Sequence, residues 1–106
     1  MDIKVEVPEA TRTRAASEVA ELIADAMQRT GATRSRITKS TLEVLVGRHY
    51  ISRSLRRRIS HEAEQLGYVL FCFDHLKPTE GTAIISLAAI QREPTFKASD
   101  ILTANS

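Results

Sequence analysis

A chain of 106 residues, 42% hydrophobic and 26% charged, is sized for one domain around a single modest core and has an ordinary globular composition. It has no apolar run long enough to span a bilayer and no signal-peptide segment in Met-Asp-Ile-Lys-Val-Glu-Val, and its single cysteine excludes an internal disulfide framework; a cytoplasmic chain is expected. The formal charge of +2 hides an asymmetry: from Arg29 to His61 nine Lys/Arg face one acid, Glu43, so that segment carries +8 and the remainder −6, a distribution that speaks about polyanionic partners rather than about fold.

In chain order, Ile3, Val5 and Val7 alternate with Lys4 and Glu6, the pattern of a short half-buried strand that ends at Pro8. Residues 11–28 read as a helix, with Ala16, Val19, Ala20, Ile23, Ala26 and Met27 at helical spacing, stopped at Thr30-Gly31. Its alanine-rich stripe suits close helix packing, in the core or in a dimer seam. Residues 33–36 read as a basic linker. A second helix follows over 38–46, with Thr38 as N-cap, Ile37 placed to staple against Leu42, and Gly47 as the stop. After the connection Arg48-His49-Tyr50 comes the stretch around which the chain is organised.

In that stretch, residues 52–66, Leu55, Ile59, Ala63 and Leu66 share one helical side, with Ser52 as N-cap and Gly67 as C-terminal stop. Arg53, Arg57, Ser60, His61 and Glu64 fall on the opposite side, and Arg56 and Arg58 flank the apolar stripe. Guanidinium groups on the outer face of a helix whose back is anchored suit a DNA groove, where they reach phosphates or guanine edges. A solvated arginine-rich face is the plainer alternative. Beyond Gly67 the period changes. Residues 68–73 form a continuous apolar and aromatic run, read as a buried strand; 74–81 a loop broken by Pro78 and Gly81; and 82–90 a second strand able to return antiparallel. The tail 91–106 is expected to be disordered or to dock through Asp100-Ile101-Leu102.

Helix, helix, helix, strand, loop, strand is an order that resembles the winged helix-turn-helix family over about residues 11–90. The pieces that carry the likeness are the helices 38–46 and 52–66 and the hairpin 68–73/82–90, with its tip at 75–81. The resemblance implies an α+β fold of three helices followed by a β-hairpin wing, here with a short N-terminal strand. It implies a third helix in the major groove and a wing on the neighbouring backbone or minor groove. Transferred by position, Arg53, Ser54, Arg57 and His61 face bases or phosphates, and Ser52 and Arg56 belong to the same approach. Arg36, Lys39 and Arg48 touch backbone, and His75 and Lys77 are the wing contacts. Two features depart from the pattern. The connection 48–51 lacks the tight turn of the compact phage-repressor type. Glu62 and Glu64 place negative charge on the later turns of the third helix, so that either its first half alone approaches DNA or Glu64 reads a cytosine amino group.

No chemistry of catalysis is signalled. His49, His61 and His75 are dispersed, none in metal-ligand spacing with Cys72, and no glycine-rich phosphate loop is present. Cys72 within its apolar run is read as a small buried hydrophobe rather than a nucleophile, and Tyr50 as core packing. The expectation is therefore a non-enzymatic, sequence-specific binder of double-stranded DNA: a small repressor of bacterial, plasmid or phage type, nucleoid-associated and acting as a homodimer, with no cofactor and no small-molecule effector. The alternatives are a module that binds an acidic protein through the same basic face, a targeting signal in the arginine triplet, and a non-specific architectural DNA binder.

Overall fold

A computed structural model describes residues 13–72 and 81–102. Among them the order is α1 (Ala16–Thr30), β1 (Arg34–Ile37), α2 (Lys39–Val46), α3 (Arg53–Gln65), β2 (Tyr68–Cys72), β3 (Thr82–Ser86), α4 (Leu87–Ile90) and α5 (Ala98–Leu102). The chain is thus mixed α+β, with five helices and one small antiparallel sheet among the described residues. The expected N-terminal strand, the hairpin tip with His75 and Lys77, and residues 103–106 of the tail lie outside the described residues.

The helix boundaries follow from local chemistry. The Thr38 hydroxyl accepts from the Thr41 backbone N–H at 3.1 Å, and the Ser52 hydroxyl from Leu55 N–H at 3.1 Å. Each satisfies one of the amide donors that a helix start leaves without a partner. α1 starts at Ala16, later than the expected 11, because its N-cap position is held by a different device: the Glu18 carboxylate reaches back to accept from Ala15 N–H at 2.9 Å. Gly31 and Gly47 close α1 and α2 in the left-handed region, at φ +71° and +87°, where a side chain would be strained.

The core gathers Val19, Ile23 and Met27 of α1, Leu42 and Val46 of α2, Ile51 ahead of α3, Leu55 and Ile59 of α3, and Ile84 of β3. α1 packs most extensively on α3, so the apolar stripe of the arginine-bearing helix is sealed by the alanine-rich one. The start of α1 is tied to the end of α2 by Arg14. Its backbone N–H donates to Val46 O and its Nη1 to Leu45 O, both at 2.9 Å, covering carbonyls that the end of α2 leaves open.

The sheet has the order β1-β3-β2, all antiparallel. Where residues 33–36 were expected as a linker, Arg34–Ile37 form a strand at the edge of the described sheet, paired in the register Arg34↔Ile85, Ser35↔Ile84, Arg36↔Ala83 and Ile37↔Thr82. In β2, Tyr68 and Leu70 pack towards the helices, while Phe71 is exposed. The expectation of a strand buried throughout is therefore corrected: Tyr68, Val69 and Leu70 are half-buried, and exposure rises at the end of the strand, at Phe71 and Cys72. Cys72 is also corrected, being exposed rather than buried. It stands opposite Thr82 at the end of the strand, near the margin of the helical cover.

Three further expectations change. β3 ends at Ser86 rather than at 90, because the Ser86 hydroxyl caps the single helical turn α4 by accepting from Ala89 N–H. Leu66 is 42% exposed, since the helix ends just before it, and Tyr50 is 76% exposed rather than in the core. The segment 91–102 is exposed at every residue. It carries α5, whose start is closed by the Asp100 carboxylate accepting from Lys97 N–H at 2.9 Å.

Candidate nucleic-acid interface

The outer face of α3 is built by spacing alone. Arg53, Arg57 and His61 follow at four-residue intervals, with Ser60 and Glu64 filling the adjacent row, so they form one longitudinal stripe. Together with Arg56 and, across the gap, Cys72 of β2, they line an open groove of about 680 Å³. Arg53, Arg57, His61 and Glu64 are exposed, while Arg56 and Ser60 are half-buried at its inner wall.

Arg56 is held differently from its neighbours. Its Nη1 donates to Cys72 Sγ at 2.6 Å and its Nε to Ile51 O at 3.4 Å, so the guanidinium spans from the start of α3 to the end of β2. At the other end of the stripe, the Gln65 amide nitrogen lies 3.0 Å from His61 Nε2 and donates to that nitrogen when it is unprotonated. The ion pairs Arg29–Asp25 and Arg34–Glu93, both 2.8 Å, lie away from the groove. Among the described residues, Arg53, Arg57 and Arg58 have no carboxylate partner.

These charges stand where helix stability would not put them. The first turn of α3 holds Arg53 and Arg56 and no acid. Cations at a helix N-terminus oppose the macrodipole, at about 0.3–1 kcal/mol each when exposed. Arg53 and Arg57 add a like-charge i,i+4 pair, unfavourable by roughly 0.2–0.5 kcal/mol. The helix tolerates this because its opposite side is sealed in the core, with Ile59 at 2% exposure. Dipole and guanidinium groups together make a positive field at that end of the groove, suited to an anion.

The expected site residues divide into groups. Arg53, Arg56, Arg57 and His61 are brought together in the groove. Ser52 and Arg48 line a different concavity with Arg14, Arg58 and the start of α1. Ser52 has its hydroxyl engaged as the N-cap. The triplet 56–58 is thus split, two arginines on one side of α3 and one on the other. Arg36 is exposed on β1, with its side chain beside Gly81. Lys39 and Ser54 are exposed at the starts of α2 and α3 and line neither concavity. Ser60, Glu64 and Cys72 also belong to the groove; of these only Glu64 had been singled out, as one alternative, a reader of a cytosine amino group. The first two were legible from the same helical spacing that selects Arg57.

Among the described residues no cluster of His, Cys, Asp or Glu could hold a metal ion, and no helix is long and apolar enough to cross a membrane. No known protein family, curated protein or solved structure matches the chain.

Proposed function

We propose that the chain is a sequence-specific double-stranded DNA-binding protein of winged helix-turn-helix type, a small transcriptional regulator that lays α3 in the major groove. The observation that carries this reading is the row of arginines on the solvent side of a helix anchored behind by α1, with no carboxylate partner for Arg53 or Arg57 among the described residues. Compatible with it is the antiparallel pair of β2 and β3, with β2 packed against that helix.

In this reading Arg57 and His61 meet base edges. Arg53, at the first turn, meets a phosphate or a guanine. Arg56, engaged with Cys72, steadies the helix against the hairpin and offers its remaining donors to backbone. Arg36, Lys39 and Arg48, on other surfaces, would serve flanking phosphates. Phosphate contacts supply most of the affinity through counterion release, and each bidentate arginine–guanine contact adds roughly 1–3 kcal/mol of discrimination. One small domain offers a limited interface, so two copies on a two-fold site are proposed.

The test is binding to duplexes selected from a random pool, compared with scrambled duplex over a salt series. A regulator gives a preferred site and a steep salt slope, reduced by about 0.9 for every phosphate contact removed. Slope without preference would make it an architectural binder. Neither would leave a module that binds an acidic protein. Sedimentation of the chain with its selected duplex reads the stoichiometry, and a 1:1 complex removes the dimer.

A further inference from the structure

The groove holds one carboxylate. Glu64 is exposed and lines the same wall as Arg53 and Arg57, yet its side chain makes no hydrogen bond or ion pair with any described residue. It stands seven residues beyond Arg57, two turns along one side of the helix and about 10 Å along its axis. The arginines therefore occupy one end of the stripe and an unneutralised acid the other.

A carboxylate facing a phosphate backbone is repelled, so Glu64 has no favourable place in a purely backbone-directed interface. Along the base edges it does. Cytosine presents an N4 amino donor in the major groove, which a carboxylate accepts. Adenine also presents an amino donor, but its N7 acceptor lies beside it, so a group with both donor and acceptor suits adenine and a carboxylate does not. Guanine and thymine show acceptors at the corresponding positions and would repel it.

Resting on the DNA-binding reading above, we propose that Glu64 is a specificity-determining residue that reads a cytosine amino group while Arg57 reads a guanine on the same helix face. With α3 lying lengthwise in the groove, about 10 Å of helix corresponds to about three base-pair steps of 3.4 Å. The selected site then contains a cytosine about three steps from the guanine read by Arg57. Glu64 also lowers affinity for every duplex that places a phosphate or another base at its tip, so it widens the gap between chosen and random sequence.

The experiment selects duplexes from a random pool with the full chain and with Glu64→Gln, then measures both proteins on the selected site, on its three variants at the cytosine position, and on scrambled duplex. The substitution is exposed and nearly isosteric, and circular dichroism checks that the helix content is kept. The expected result is a cytosine preference of roughly 5- to 150-fold in the wild-type chain. In Glu64→Gln that preference collapses at this position alone, while binding to scrambled duplex rises. A wild-type site with no cytosine at that distance overturns the assignment. So does a Glu64→Gln variant that gains affinity equally on every duplex, because Glu64 would then act by repulsion alone. If the wild-type chain binds no duplex, the DNA-binding reading itself fails, and that outcome is distinct from a preferred site that ignores Glu64.

Discussion

Replacing Ile59 by alanine separates what holds α3 in place from what its outer face does. Ile59 is 2% exposed and is among the largest fully buried side chains. It sits with Val19, Leu42, Leu55 and Ile84 in the core. The substitution removes three buried carbons, at about 0.8 kcal/mol each by transfer. The enclosing elements come from three helices and a sheet, so they cannot all close on the space, and the residual cavity raises the total to about 3–4 kcal/mol. Against a total stability on the order of 5–15 kcal/mol this is a large fraction. At about 4–8 °C per kcal/mol for a domain of this size, the melting temperature falls by some 12–30 °C. Urea unfolding followed by far-ultraviolet circular dichroism measures it directly. Arg57→Ala, two residues away on the exposed side, is expected to change stability by no more than about 0.5 kcal/mol. A loss below about 1 kcal/mol for Ile59→Ala would refute the placement of this side chain at the junction of helices and sheet.

Other substitutions probe single contacts. Ser52→Ala and Thr38→Ala each remove an N-cap acceptor and should lower unfolding free energy by about 1 kcal/mol in chemical denaturation; no change would mean that water replaces the hydroxyl without loss. Gly81 has φ +149°, and a Cβ there would stand 2.7 Å from Ile37 O. Gly81→Ala is therefore expected to destabilise by roughly 1–3 kcal/mol and to disturb amide resonances of β1 as well as β3. Arg34→Ala breaks an ion pair whose side chains are 67% and 51% exposed, and thermal unfolding should register less than about 1 kcal/mol. The double substitution Arg53→Ala/Arg57→Ala should keep or slightly raise the melting temperature, since it removes charge unfavourable at a helix start, while abolishing the preferred-site complex in gel shifts; retention of that complex would remove α3 from the interface.

The parts of the fold that could be read in advance are those whose cause is local. Thr38, Ser52 and Gly47 mark helix boundaries through their own hydrogen bonds or dihedral angles. The four-residue recurrence of Leu55 and Ile59 fixes which side of α3 is buried. β1 was not legible because its residues, Arg-Ser-Arg-Ile, carry no apolar alternation; the strand exists only because Ile84 and Ile85 of β3 offer it a ladder. The end of β3 was hidden for a related reason, since an apolar run such as Ile-Ile-Ser-Leu-Ala-Ala-Ile suits strand or helix until Ser86 is seen to cap. Cys72 lies in an apolar run yet ends up exposed, because burial there depends on how far α3 extends over the sheet. In the candidate site the spacing of Arg53, Arg57 and His61 was legible. That Arg48 and Arg58 would part company with them depended on where α1 packs, which no local pattern records.

The short strand β1 has one more implication. As the outermost strand on its side among the described residues, it has ladder groups that no described strand pairs, the template on which other chains can stack. It is only four residues long, and its two arginines project from alternate positions. A second copy approaching edge to edge would bring two Arg36 guanidinium groups together, Arg34 being paired with Glu93, with little ladder gained in return. Charge at Arg36 and the shortness of the strand thus oppose pairing of two copies along β1, and replacing Arg36 with valine is the change expected to favour it.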